Sequence, residues 1–86
     1  MNWIIKTSKA ADKEIKHLDK VTLRKLDKAI SQLEENPFRT KTERMSNYPY
    51  AQFRHRIGDY RILFDITQDG IIQILHIWHR GKDYKK

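Results

Sequence analysis

From Phe53 to Ile66 apolar and polar residues alternate with a period of two on both sides of Gly58-Asp59, a dipeptide that favours a two-residue hairpin turn. A turn there sets Ile57 opposite Tyr60, Arg56 opposite Arg61, His55 opposite Ile62 and Phe53 opposite Phe64. Cross-strand partners share a face. One face is then Phe53, His55, Ile57, Tyr60, Ile62 and Phe64, a core in which His55 reads as a buried imidazole. The other carries Arg54, Arg56 and Arg61. Like charges directly opposite each other cost from a few tenths to about 1 kcal/mol. Folding alone does not require that cost, so the pair marks a place for an anion.

The flanking pattern predicts the remaining elements. Trp3-Ile4-Ile5 reads as a short first strand. Ser8 is a good N-cap for a helix through about Lys20, with Ala11, Ile15 and Leu18 on one face. Thr22 reads as the cap of a second helix, in which Leu23, Leu26, Ile30 and Leu33 recur at helical spacing. Asn36-Pro37 ends it, because the residue before proline disfavours helix. The two helices are expected to form an antiparallel hairpin with a shared apolar face. Residues 38–50 lack periodicity and read as a basic loop. Strands follow at about 51–57, 60–67 and 71–79. The order β-α-α-β-β-β predicts a small α/β sandwich, a helical hairpin on one face of a mostly antiparallel sheet, as a single domain over residues 1–86.

The last strand is apolar on both sides, as expected of an interior strand. Its phase depends on the Asp69-Gly70 turn. A two- or four-residue loop puts Leu75, Ile77 and His79 on the helix side and His76, Trp78 and Arg80 on the arginine face. A three-residue loop would reverse this and bury Arg80, so the first reading is preferred. Trp78 then reads either as a stacking surface or as the rim of the core. His76 and His79 point to opposite faces and make a poor metal pair. No carboxylate cluster accompanies the arginines, which argues against a two-metal nuclease.

Charge sharpens this picture. The 86 residues carry a net charge of +7, and its placement is uneven. Residues 1–38 and 62–79 together hold eight basic and eight acidic side chains. Residues 39–61 contribute +4 and residues 80–86 contribute +3, which is the whole excess. A basic patch confined to the arginine hairpin, the preceding loop and the tail suits a polyanion, nucleic acid first. With no cysteine, no apolar run of membrane-spanning length and no apolar leader after Met1, a cytoplasmic protein is expected.

The stretch R-x-R-I-G-D-Y-R-I-L-F-D-I, Arg54 to Ile66, followed by H-R-G-K-D-Y, His79 to Tyr84, resembles the RelE/ParE superfamily of type II toxin–antitoxin toxins. The resemblance covers the whole chain and implies the α+β, microbial RNase-like fold. On the RelE side it implies a bacterial or archaeal ribosome-dependent endoribonuclease that cuts mRNA in the A site. It implies further that no metal or cofactor takes part and that a 2′-hydroxyl attacks the adjacent phosphate. Arg61 and Arg80 would then hold the scissile phosphate, and Arg54 and Arg56 would bind phosphate beside them. Tyr84 would serve as the aromatic acid/base or stacking residue, with His79 a further acid/base candidate. Arg44, His76, Trp78 and Lys82 would contact RNA. Preorganised guanidinium groups can stabilise a pentacovalent phosphate. They stay charged, so proton transfer falls to other groups. The implied partners are a cognate antitoxin, in a hetero-oligomer, and the ribosome with its mRNA. ParE toxins share the fold but poison DNA gyrase, and they form one alternative reading; a nucleic-acid-binding module without catalysis is the other. The tail, poor in apolar anchors, is expected to be weakly held and easily displaced.

Overall fold

The computed structural model describes residues 3–38 and 41–81. In chain order the elements are β1 (Ile4–Thr7), α1 (Lys9–Lys16), α2 (Lys20–Glu35), β2 (Thr42–Arg44), β3 (Phe53–Ile57), β4 (Tyr60–Ile66) and β5 (Ile71–His79). The sheet runs β1-β5-β4-β3-β2, with β1 parallel to β5 and every other pair antiparallel. This is the expected α+β architecture with one additional strand. β2 lies within the segment expected to be loop. Its three residues, TER, have no apolar period of their own and become a strand by pairing with β3.

Ser8 caps α1 as expected, its Oγ accepting the Ala11 N–H at 3.0 Å. The helix stops at Lys16, short of Lys20, and α2 begins earlier than expected. Its cap is Asp19, whose Oδ1 accepts the Thr22 N–H at 3.0 Å, so Thr22 lies inside the helix. These bonds hold the Asp19 carboxyl below its usual 3.8, the Thr22 contacts being the largest cause. Asn36, extended ahead of Pro37, ends α2. α1 packs on β5, and α2 on β3 and β1, so the sheet joins them into one layer. Ala11, Leu18, Leu26, Ala29 and Leu33 from the helical layer meet Phe53, Ile57, Ile62, Phe64, Ile72, Ile74 and Ile77 from the sheet. Phe53 and Phe64 stack at 5.4 Å between ring centroids. His55 is buried on this side, its Nδ1 2.9 Å from the Thr42 hydroxyl.

The Gly58-Asp59 hairpin has the expected register, with Ile57 against Tyr60, Arg56 against Arg61 and Phe53 against Phe64. Gly58 sits at φ 59°, a conformation that favours glycine, and an added Cβ would approach Lys25 Nζ to 3.0 Å. The next turn departs from expectation. The Thr67 N–H donates to the Ile71 carbonyl, which closes a three-residue loop. Such a loop alone would have reversed β5, yet Arg80 is exposed. A β-bulge corrects the phase: Phe64 pairs with Ile74 but Leu63 pairs with His76, leaving Leu75 as the extra residue. Before the bulge, even-numbered Ile72 and Ile74 face the helices; after it, odd-numbered Ile77 does. Leu75 itself packs on the opposite face with Ala51, Leu63 and Trp78, not on the helix side where it was expected.

Candidate phosphate-binding site on the open sheet face

The face away from the helices has two parts. At the β3–β4 turn, Arg56, Gly58, Tyr60, Arg61 and Arg80 line a cleft of about 200 Å³. Arg56 and Arg61 reach it as a cross-strand pair, and Arg80 from the turn just past β5. Arg80 is tethered there by its turn partner: its N–H donates to the Asp59 carbonyl at 2.7 Å, and its Nε lies 3.7 Å from Asp59 Oδ1. Both side chains are about two-thirds exposed, 68% and 67%, so this ion pair restrains the guanidinium weakly. Three guanidinium groups thus surround one small concavity, an arrangement suited to the oxygens of a phosphate.

Arg54 shares the face but is engaged elsewhere. Its Nε and Nη2 both reach Glu43 Oε1, at 2.8 and 2.6 Å, across the β2–β3 pair. With Arg56 it lines a neighbouring cleft of about 320 Å³ beside Lys41 and Thr42. Arg44 is separated from both clefts. It pairs with Phe53 in the ladder and places its guanidinium 5.7 Å from that ring, on the helix side. His79 stands on the helix-side rim, its ring 5.1 Å from that of Tyr60 and its Nδ1 accepting the Gly81 N–H. Lys82 and Tyr84 lie outside the described residues.

The second part of the face is aromatic. Trp78 pairs with Arg61 across the ladder, but it is only 8% exposed and offers little ring for stacking. Glu14 of α1 explains this. One carboxylate oxygen accepts the Ile77 N–H at 2.8 Å; the other accepts Trp78 Nε1–H at 2.8 Å and lies 3.2 Å from His76 Nδ1. The His76 ring rests 4.3 Å from Trp78, so both residues are held against α1 beside the arginine cleft. The ring exposed above them is Tyr50, 39% accessible, with its centroid 5.3 Å from Trp78 and 5.2 Å from Tyr48. Sequence reasoning passed over both Glu14 and Tyr50. Glu14 is one of several charged residues in a helix of alternating Lys, Asp and Glu, with nothing local to single it out. Tyr50 stood in an aperiodic segment whose only signal was the Y-P-Y triplet, Tyr48 to Tyr50.

Three comparisons bear on this geometry. The profile of the family described as ParE toxin of type II toxin-antitoxin system, parDE, matches residues 5–84. Among solved structures, the toxin–antitoxin complex RelBE2 of Mycobacterium tuberculosis superposes with a TM-score of 0.81 at 21% identity, covering 93% of this chain and 100% of that one. The archaeal RelE–RelB complex of Pyrococcus horikoshii OT3 does so with a TM-score of 0.79 at 27% identity, covering 96% and 100%. A free-state double arginine-to-alanine mutant of E. coli toxin RelE gives 0.73 at 16%, covering 94% and 86%. A comparison with curated proteins produced no match. With the profile spanning nearly its whole length and the fold shared with RelE structures, this chain belongs to the RelE/ParE superfamily of type II toxin–antitoxin toxins.

Proposed function

We propose that this toxin is a metal-independent endoribonuclease of the RelE kind, acting on mRNA in the ribosomal A site. The observation that carries the reading is the cleft shared by Arg56, Arg61 and Arg80. In this reading Arg61 and Arg80 bind the scissile phosphate and stabilise the charge that builds on it as the neighbouring 2′-hydroxyl loses its proton and attacks. The P–O5′ bond breaks, and the departing 5′-oxygen takes up a proton to leave a 2′,3′-cyclic phosphate. Arg56 completes the cage, and Arg54, held by Glu43, contributes field more than direct contact. Proton transfer is assigned to His79 at the rim and Tyr84 in the tail. A cognate antitoxin would neutralise the toxin by laying an acidic or amphipathic segment over the arginine face or by displacing the tail. Its association should slow as salt rises, because charge steers the encounter.

The second reading is gyrase inhibition, favoured by the ParE description of the matching family. Purified toxin tested on ribosome-bound mRNA and on gyrase supercoiling separates the two. Cleavage with gyrase untouched supports the nuclease. Blocked supercoiling with intact mRNA replaces it.

A further inference from the structure

We infer that Tyr50 is a nucleobase platform: its exposed ring stacks on a base of the RNA whose phosphate occupies the neighbouring arginine cleft. The inference rests on RNA being the ligand of that cleft. Three features of the structure carry it. Continuity comes first: Arg61 lines the cleft and pairs directly with Trp78, and Tyr50 meets Trp78 edge-on, with ring centroids 5.3 Å apart and planes at 65°. A chain that places a phosphate among the arginines therefore has an aromatic surface beside it on the same face. The second is exposure. Trp78 is buried by its apolar neighbours and held by Glu14, and Tyr50 is the most accessible ring of this group.

The third is preorganisation. The segment carrying Tyr50 is anchored at both ends. The Met45 N–H donates to the Gln52 carbonyl at 2.8 Å, and the Gln52 N–H donates to Asp65 Oδ1 at 2.7 Å. The Ile66 N–H in turn donates to Gln52 Oε1 at 3.1 Å. Within it, Asn47 takes φ 55°, a left-handed turn that asparagine tolerates. Below, Ala51 and Tyr48 pack on Leu63, Leu75 and Trp78. A ring held from beneath loses little freedom when a base settles on it, which is what makes such stacking effective.

The test is binding of fluorescent 2′-O-methyl hexa-adenylate, which cannot be cleaved, against the same strand with its central bases removed. Wild type should bind the base-bearing strand more tightly, by about 5- to 150-fold, the range typical of one aromatic–base stack. Tyr50→Phe should keep this preference. Tyr50→Leu, which still covers Trp78 but has no π-face, should lose it while melting close to wild type. Equal affinity for the two strands, no measurable binding, or a preference that survives in Tyr50→Leu overturns the platform. Cleavage of ribosome-bound mRNA is scored separately. A wild type that cleaves without base preference keeps the nuclease and loses the platform. Base-dependent binding without cleavage keeps the platform and removes the nuclease.

Discussion

The two faces of the sheet are built on opposite economies. On the helix side Ile62, Phe64, Ile72, Ile74 and Leu33 are fully buried, and the buried imidazole of His55 has the Thr42 hydroxyl beside it. On the other side a small apolar group, Ala51, Leu63 and Trp78, supports a row of guanidinium groups that repel one another. One face stabilises the fold and the other draws on that stability. Substitutions should therefore separate: those in the helix-side core change unfolding, and those of the arginines on the other face change action at nearly constant stability.

The most damaging change should be Phe64→Ala, which empties the centre of the helix-side core. Phenylalanine-to-alanine truncation at such a site costs about 3–5 kcal/mol, measurable by urea unfolding. A loss below about 1 kcal/mol would show that the division between faces is false. Next is Arg61→Ala, expected to lower mRNA cleavage on ribosomes by about 10²–10³ and relieve growth arrest, with the unfolding midpoint unchanged. Arg80→Ala should behave alike, whereas Arg54→Ala, already committed to Glu43, should cost less. Equal effects at the three positions would dissolve the distinction drawn between the two clefts.

Glu14→Ala tests a helix side chain that reaches a residue of the other face, Trp78. It strips partners from the Ile77 N–H and the Trp78 indole N–H, both part-buried, at about 1–3 kcal/mol. Tryptophan emission should move to longer wavelength as Trp78 loosens, and an unchanged spectrum would argue against the clamp. The smallest effect belongs to Asp19→Asn, which keeps a capping side chain and removes only its charge. Because the folded carboxyl titrates below its usual 3.8, its extra stabilisation is complete above that value and fades as pH falls through it. Wild type and variant should differ slightly at pH 6 and converge in acid; a gap that widens in acid contradicts the cap.

Much of this plan was legible along the chain because it rests on local rules. Gly58-Asp59 sets the hairpin register, and that register alone puts Arg56 beside Arg61. Ser8 and Asn36-Pro37 bound helices through chemistry confined to a few residues. What escaped was non-local. Thr22 and Asp19 are both competent caps three residues apart, and only the fold selects Asp19. β2 is a strand because β3 lies beside it. The bulge at Leu75 cancels a three-residue loop, so the preferred placement of Trp78 and Arg80 was reached on the wrong loop length. In the site, the Arg56–Arg61 pair followed from spacing, whereas the Glu14 clamp joins residues more than sixty positions apart and left no trace in sequence.

That clamp also bears on self-association. β1 pairs with β5 only as far as Thr7 opposite Ile74, so the outer half of β5 would present a bare row of backbone donors and acceptors. Such an edge recruits strands from other chains. Here the Ser8 hydroxyl donates to the Leu75 carbonyl at 2.7 Å and Glu14 takes the Ile77 N–H. The N-cap of α1 and a side chain from its second half thus occupy part of an edge that no strand among the described residues covers. The same carboxylate that holds the Trp78 indole thus takes up a backbone donor that an incoming strand would need.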